Sequence, residues 1–143
     1  MEHGRFFLTI VCPEKDFFED EVNEVVFSTP EGSIGIMAGH APMIAAVSEG
    51  VVEILADGDW KIAAVGPGFC EIGYHKAEFY LDTAEWADEI DVAMAKEELE
   101  RAEQRIRSEM SQQEYVLTQA SMSRDLARLK AVRSREKHRM VVR

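Results

Sequence analysis

An N-terminal antiparallel β-sandwich followed by a C-terminal antiparallel two-helix hairpin is the architecture that this 143-residue sequence predicts. Three observations carry it. Short apolar runs broken by turn signals continue to about residue 83, residues 84 to 137 contain neither Gly nor Pro, and apolar side chains then recur at spacings of three and four. With 46% hydrophobic residues, the chain is long enough to bury a core.

Phe6, Leu8, Ile10 and Cys12 alternate with Phe7, Thr9 and Val11, the period of a strand. Val25-Val26-Phe27, Val51 to Leu55, Lys61 to Val65, Phe69 to Ile72 and Glu78 to Leu81 are further strand-like runs. Glu31-Gly32, Ala38-Gly39-His40, Glu49-Gly50, Asp57-Gly58-Asp59 and Gly66-Pro67-Gly68 punctuate them at the intervals of hairpins rather than of βαβ units. Several runs are apolar on both faces, which predicts two packed sheets with part of an outer face covered by something else.

From residue 84 the sequence is rich in good helix formers. Val92, Ala95, Leu99, Ala102 and Ile106 form one stripe, Asp91 is placed to cap it, and Glu97/Arg101 and Glu103/Arg107 are spaced as i,i+4 pairs. The polar cluster Ser108 to Gln113 predicts a reversal. Val116, Ala120, Ala127 and Ala131, with Met122, Leu126 and Leu129 beside them, then form a second stripe. Small residues on that stripe bury little area, so closure of the hairpin is expected to be weakly favourable. Beyond Glu136 the basic tail lacks periodicity and is expected to fray. The predicted division is residues 1–84 and 85–143.

Charge divides the chain differently. Residues 1 to 123 hold 25 acidic and 8 basic side chains, whereas residues 124 to 143 hold 8 basic and 2 acidic ones, a net of +6 within a whole-chain net of −11. Uniform attraction to nucleic acid or an anionic membrane is therefore not expected. The basic tail alone would permit phosphate contact, but it carries no aromatic side chain for base stacking. No apolar stretch is long enough for a membrane span, and Met1-Glu2-His3-Gly4-Arg5 lacks the features of a secretory signal, so a cytosolic setting is expected. Cys12 and Cys70 read as buried, reduced thiols.

Catalytic chemistry has no foothold. His3, His40, His75 and His138 show no metal-ligand spacing, and no Gly-x-Ser-x-Gly elbow occurs. Gly66-Pro67-Gly68 completes no phosphate-loop motif and is read as a hairpin turn.

Pro30-Glu31-Gly32-Ser33-Ile34-Gly35-Ile36-Met37-Ala38-Gly39-His40-Ala41-Pro42 resembles the Glu-Gly-x-x-Gly-Ile-x-x-Gly-His-x-Pro pattern of the epsilon subunit of bacterial F-type ATP synthase, called delta in mitochondria. Gly50, Gly66-Pro67-Gly68-Phe69-x-Glu71 and Ile90-Asp91 followed by Ala95-Lys96 add to the likeness, with Pro67 where the family usually has Gly. The resemblance implies a non-catalytic central-stalk rotor subunit. Its sandwich contacts the gamma subunit and the c-ring, which points to Glu31, Gly32, Ser33, His40 and Pro42. Ser33 stands where many members are acidic. The same residues read locally as a tight bend at Glu31-Gly32 and a turn cap at His40.

The resemblance also implies that the hairpin, when extended, inhibits ATP hydrolysis. Arg124, Arg128, Lys130, Arg133 and Arg135 would then face an acidic region of the catalytic beta subunit. A helix over 112 to 137 would span about 39 Å. Some members bind ATP through an Ile/Leu-Asp-x-x-Arg-Ala motif. Here Met94 replaces the motif arginine, while Glu85, Asp91, Arg101, Arg124 and Arg128 match, so ATP is expected to be at most a weak regulatory ligand and no other cofactor is implied. Locally, Asp91 reads as an N-cap, Arg101 as the partner of Glu97, and Arg124 and Arg128 as a solvated face. The implied location is peripheral, on the cytoplasmic face of a bacterial membrane.

Overall fold

The computed structural model describes residues 4–108 and 110–141, the side chains of 140 and 141 excepted. His3, Glu109 of the predicted reversal, and Arg143 of the basic tail lie outside the described residues. Ten strands come first: β1 (Phe6–Cys12), β2 (Lys15–Val22), β3 (Glu24–Thr29), β4 (Gly32–Met37), β5 (Met43–Val47), β6 (Gly50–Ala56), β7 (Asp59–Val65), β8 (Gly68–Ile72), β9 (Lys76–Leu81) and β10 (Ala84–Trp86). A 3-10 turn (Ala87–Glu89) leads into α1 (Val92–Arg107) and α2 (Gln112–Val141).

The strands make the expected sandwich. One sheet has the order β2-β1-β9-β8-β5 and the other β10-β7-β6-β3-β4. Pairing is antiparallel except between β1 and β9, which run parallel. Alternate residues of β1, Phe6, Leu8, Ile10 and Cys12, enter the core as their spacing predicts. Phe27 and Phe79 meet there edge to face, 4.9 Å between ring centres. Cys12 and Cys70 are free and buried, and burial pushes the Cys70 thiol up to about 11.

Four strands escaped the sequence reading. β2 is an edge strand whose exposed positions are charged, a pattern that protects an open edge and hides the apolar alternation. β4 alternates around Gly and Ser, β5 is a short edge strand, and β10 is three residues long, too short to show a period. Because β10 pairs with β7, sheet structure continues to Trp86, past residue 84.

Gly66-Pro67-Gly68 is not a hairpin turn. It carries the chain from β7 in one sheet to β8 in the other, alongside the return crossing: Gly66 N–H donates to the Thr83 carbonyl and Asp82 N–H to that of Pro67, both at 2.9 Å. Gly68 is required there, since a Cβ would lie 2.0 Å from the Tyr80 carbonyl oxygen.

Asp91 caps α1, accepting from Met94 N–H at 3.1 Å. The α1 stripe faces inward as predicted, although neither expected i,i+4 pair closes within 4 Å among the described residues. The α2 stripe holds in part: Ala127 and Ala131 are buried as predicted, but Val116, Ala120 and Leu126 are exposed, and Thr118 and Asp125 are buried instead. Helix packing overrode hydropathy there, because two polar side chains occupy the inward positions. The tail is a second correction. Instead of fraying beyond Glu136, the helix runs 30 residues, about 45 Å, because its last turns rest on the sandwich.

Candidate functional site

The outer face of β6 and β7 carries Val51, Glu53, Trp60, Ile62 and Ala64, side chains that strand alternation turns away from the sandwich core. α2 lies across this face. Ile62, Ala64, Ala87, Ile90 and Ala131 form a small buried cluster separate from the core, with Val51, Trp60 and Val132 at its margin. The close approach is possible because Ala131 is small and fully buried.

Polar contacts hold the same seam. Arg128 grips Glu85 of β10 with two hydrogen bonds, Nε to Oε2 at 2.9 Å and Nη2 to Oε1 at 3.2 Å. Farther along α2, Ser134 Oγ donates to Glu53 Oε2 at 2.6 Å, and His138 Nε2 lies 2.7 Å from the same oxygen. The His138 ring stacks on Trp60 with ring centres 4.8 Å apart. Bidentate and charge-assisted bonds of this kind fix register as well as adding about 1.5 to 3 kcal/mol where sheltered from water.

Asp125 sits beneath Arg128, 1% exposed. Its Oδ1 is 3.5 Å from Arg128 Nη1, the Glu98 carboxylate of α1 is 3.7 Å from that same nitrogen, and Oδ2 has no hydrogen-bond partner. Burial, then hydrogen bonding to Glu98 and its charge, push the Asp125 carboxyl above the usual carboxylate range. Burial opposes the charged form of Arg128, but the bonds to Glu85 and the surrounding carboxylates outweigh it, so Arg128 is held cationic.

The predicted basic face is therefore divided. Arg124, Lys130 and Arg133 are exposed. Arg135 is half-buried beside Trp60, Trp86 and His138 in a cleft of about 680 Å³. Arg128 is not on a solvated face, because Glu85 draws it inward. Arg124 counteracts the rise that burial imposes on the Glu49 carboxyl, to which Asp82 also contributes.

Of the residues matching the ATP motif, Glu85 and Arg128 come together, but as each other's partners. Asp91 serves as the cap, Met94 is exposed, and Arg101 lines an interhelical cleft with Glu98, Arg105, Thr118 and Ser121. Glu31, Gly32 and Ser33 are exposed at one end of β4; His40 and Pro42 lie beyond its other end, about 20 Å away at strand rise. Thr29 pins the first bend by donating to Gly32 O at 2.7 Å and accepting from Glu31 N–H, and Gly32 has φ 129°. His40 Nδ1 is 2.7 Å from the Ala41 carbonyl, in the loop where Gly39 N–H bonds to Tyr74 O.

Sequence reasoning missed Glu53, Trp60, Glu98, Asp125 and His138. A lone acid in Val51-Val52-Glu53-Ile54-Leu55 was the available signal, because a charge inside an apolar strand needs a partner. Runs apolar on both faces predict an apolar outer surface, and beside the one under α2 a second lies on the first sheet, the row Val11–Tyr80–Phe69–Ala46 in register over four strands. Phe69 and Tyr80 stack at 5.1 Å, and Ile44 beside them is 74% exposed.

Two family models match adjoining stretches of the chain: the beta-sandwich domain of the ATP synthase Delta/Epsilon chain over residues 5–87 and its long alpha-helix domain over residues 88–133. The chain belongs to the ATP synthase delta/epsilon family. It is 40% identical over 130 residues to the ATP synthase epsilon chain of Ruminiclostridium cellulolyticum, covering 91% of this chain and 97% of that one. To the epsilon chain of Caldanaerobacter subterraneus it is 37% identical, covering 87% and 91%. The expected membership of this subunit family is thus met. Chains in the Euglena gracilis mitochondrial ATP synthase (OSCP/F1/c-ring) and in the Tetrahymena thermophila central stalk and c-ring share the fold. Their TM-scores are 0.76 and 0.61, at 19% and 14% identity; coverage is 83% of this chain and 76% of that one in the first, and 92% and 99% in the second. No helix among the described residues of this delta/epsilon-family chain is long and apolar enough to cross a membrane.

Proposed function

We propose that this delta/epsilon-family chain is a non-catalytic central-stalk rotor subunit of a proton-translocating F-type ATP synthase, coupling c-ring rotation to the catalytic head through gamma. In this reading the sandwich is the rigid clamp and the hairpin a releasable inhibitor of ATP hydrolysis. The observation that carries it is the seam: α2 rests outside a sandwich whose core is complete without it, through a small apolar cluster and a few polar bonds. Detachment would leave the clamp folded.

The apolar row around Phe69 and Tyr80 suits docking against gamma, since a patch of this kind on a sheet face marks an interface. The exposed turn at Glu31, Gly32 and Ser33 suits the polar loops of the c-ring, and the His40–Pro42 loop, at the other end of β4, suits gamma. Once α2 is free, Arg124, Lys130 and Arg133 can meet an acidic surface on the beta or alpha subunits, with Arg128 and Arg135 joining them as their present contacts break. ATP is at most a weak ligand in this scheme, because Met94 supplies no cation and a phosphate would have to displace Glu85 from Arg128. The chain sits peripherally on the cytoplasmic face of a bacterial membrane, held by the complex.

The test is hydrolysis by the reconstituted enzyme carrying Arg124→Gln, Lys130→Gln and Arg133→Gln, with Arg128 retained so that closure is unaltered. Inhibition relieved severalfold is the expected result. Inhibition equal to that of the unaltered subunit would overturn the role of the basic face.

A further inference from the structure

We propose that Asp125 and Glu98 form a proton-binding site in the seam between α1 and α2, where one bound proton favours the closed hairpin and its loss loosens it. The inference rests on the preceding reading for its regulatory meaning, since a latch matters only if the hairpin opens.

Charge counting at the site is simple. Glu85 from β10, Glu98 from α1 and Asp125 from α2 all surround one guanidinium, and Arg128 is already committed to Glu85 at 2.9 and 3.2 Å. Asp125 and Glu98 receive only its remaining nitrogen, at 3.5 and 3.7 Å. Fully ionised, the group carries three negative charges against one positive, and the most enclosed member, Asp125, has an oxygen with no donor. A proton supplies what is missing, neutralising one charge and giving one carboxyl a donor for its neighbour. Along the same helix pair, Arg101 and Arg105 line the cleft with Glu98 but form no ion pair with either acid within 4 Å among the described residues.

The linkage has a definite sign. Burial and Glu98 raise Asp125 in the closed form, whereas the open form exposes it and returns it to the ordinary range. The closed form therefore binds the proton more tightly. Closure is favoured fully below the ordinary aspartate range and weakens by up to about tenfold per pH unit as pH rises from there to the raised value.

Two measurements on the full chain test this. Carbon-13 NMR titration of the side-chain carboxyls should find Asp125 titrating above the ordinary aspartate range. Titration within that range would overturn the proposal. Spin labels at Ser123→Cys and Glu14→Cys report the α2-to-sandwich distance from about pH 4 to about pH 8, across and above the ordinary aspartate range, in a His138→Gln background that removes the imidazole contact with Glu53. The open fraction should grow with pH in that background and stay low and flat on adding Asp125→Asn. An equal rise of the open fraction with pH in the two proteins would overturn the proposal. Closed distances at every pH in both, beside a raised Asp125 titration, would leave the proton site standing and overturn the release of α2 proposed above.

Discussion

Removing the Arg128 guanidinium would leave Glu85, Glu98 and Asp125 facing one another at the base of the hairpin. Like charges at that distance repel, and Asp125, whose side chain is 2% exposed, is sheltered enough to feel it. Glu85 and Glu98 are 37% and 38% exposed, so solvent screens part of the loss. Arg128→Gln should therefore weaken docking of α2 by about 1 to 2 kcal/mol. Amide exchange would speed along α2 by roughly five- to thirtyfold, with β1, β3 and β9 unchanged. Equal acceleration in the strands would show that the ion pair supports the whole molecule instead. Such pairings were not legible in the sequence. Glu85 and Arg128 are 43 residues apart, and only the placement of β10 against β7 and α2 brings them together.

Among the elements, the crossing at Gly66-Pro67-Gly68 has the least room. Gly68→Ala would drive a methyl into the Tyr80 carbonyl, a backbone atom that cannot turn aside. Destabilisation of at least about 2 kcal/mol is expected, seen as a lower thermal midpoint; a midpoint within one degree of the parent would contradict the geometry. This also marks the limit of pattern reading. A Gly-Pro-Gly turn announces itself, but whether it joins two strands of one sheet or two sheets depends on partners elsewhere in the chain. β1, β6 and β7 were legible because both neighbours are strands and their apolar residues are numerous. β2 was not, because its exposed edge is charged. The face of α2 was misread for a comparable reason, since Thr118 and Asp125 point inward while Leu117 and Leu126 remain 66% and 53% exposed.

At the scale of the whole molecule, two apolar clusters divide the work. The larger fills the sandwich and the smaller fastens α2 to its outside. Ala131→Glu places a carboxylate in the smaller cluster, where no cation is free to meet it among its buried members. The hairpin should detach while the sandwich keeps its stability, measured as loss of the Trp60–His138 contact by fluorescence and NMR with the chemical shifts of Phe27 and Phe79 preserved. Unfolding of both parts together would show that the two clusters are one cooperative unit. The division into sheet and helices was visible from the loss of Gly and Pro after residue 84. The fastening itself was not, because it uses alanines and single polar residues that look like ordinary helix surface.

The parallel pairing of β1 with β9 joins residues 7–11 to residues 76–80. Contacts so distant in sequence delay folding, because the intervening loop must be ordered first. During synthesis on the ribosome, the amino-terminal strand must therefore wait for some seventy residues to emerge before its parallel neighbour exists. β10 follows only a few residues later and completes the platform for α2. Assembly is thereby ordered from the amino terminus to the carboxyl terminus: the clamp first, the latch last.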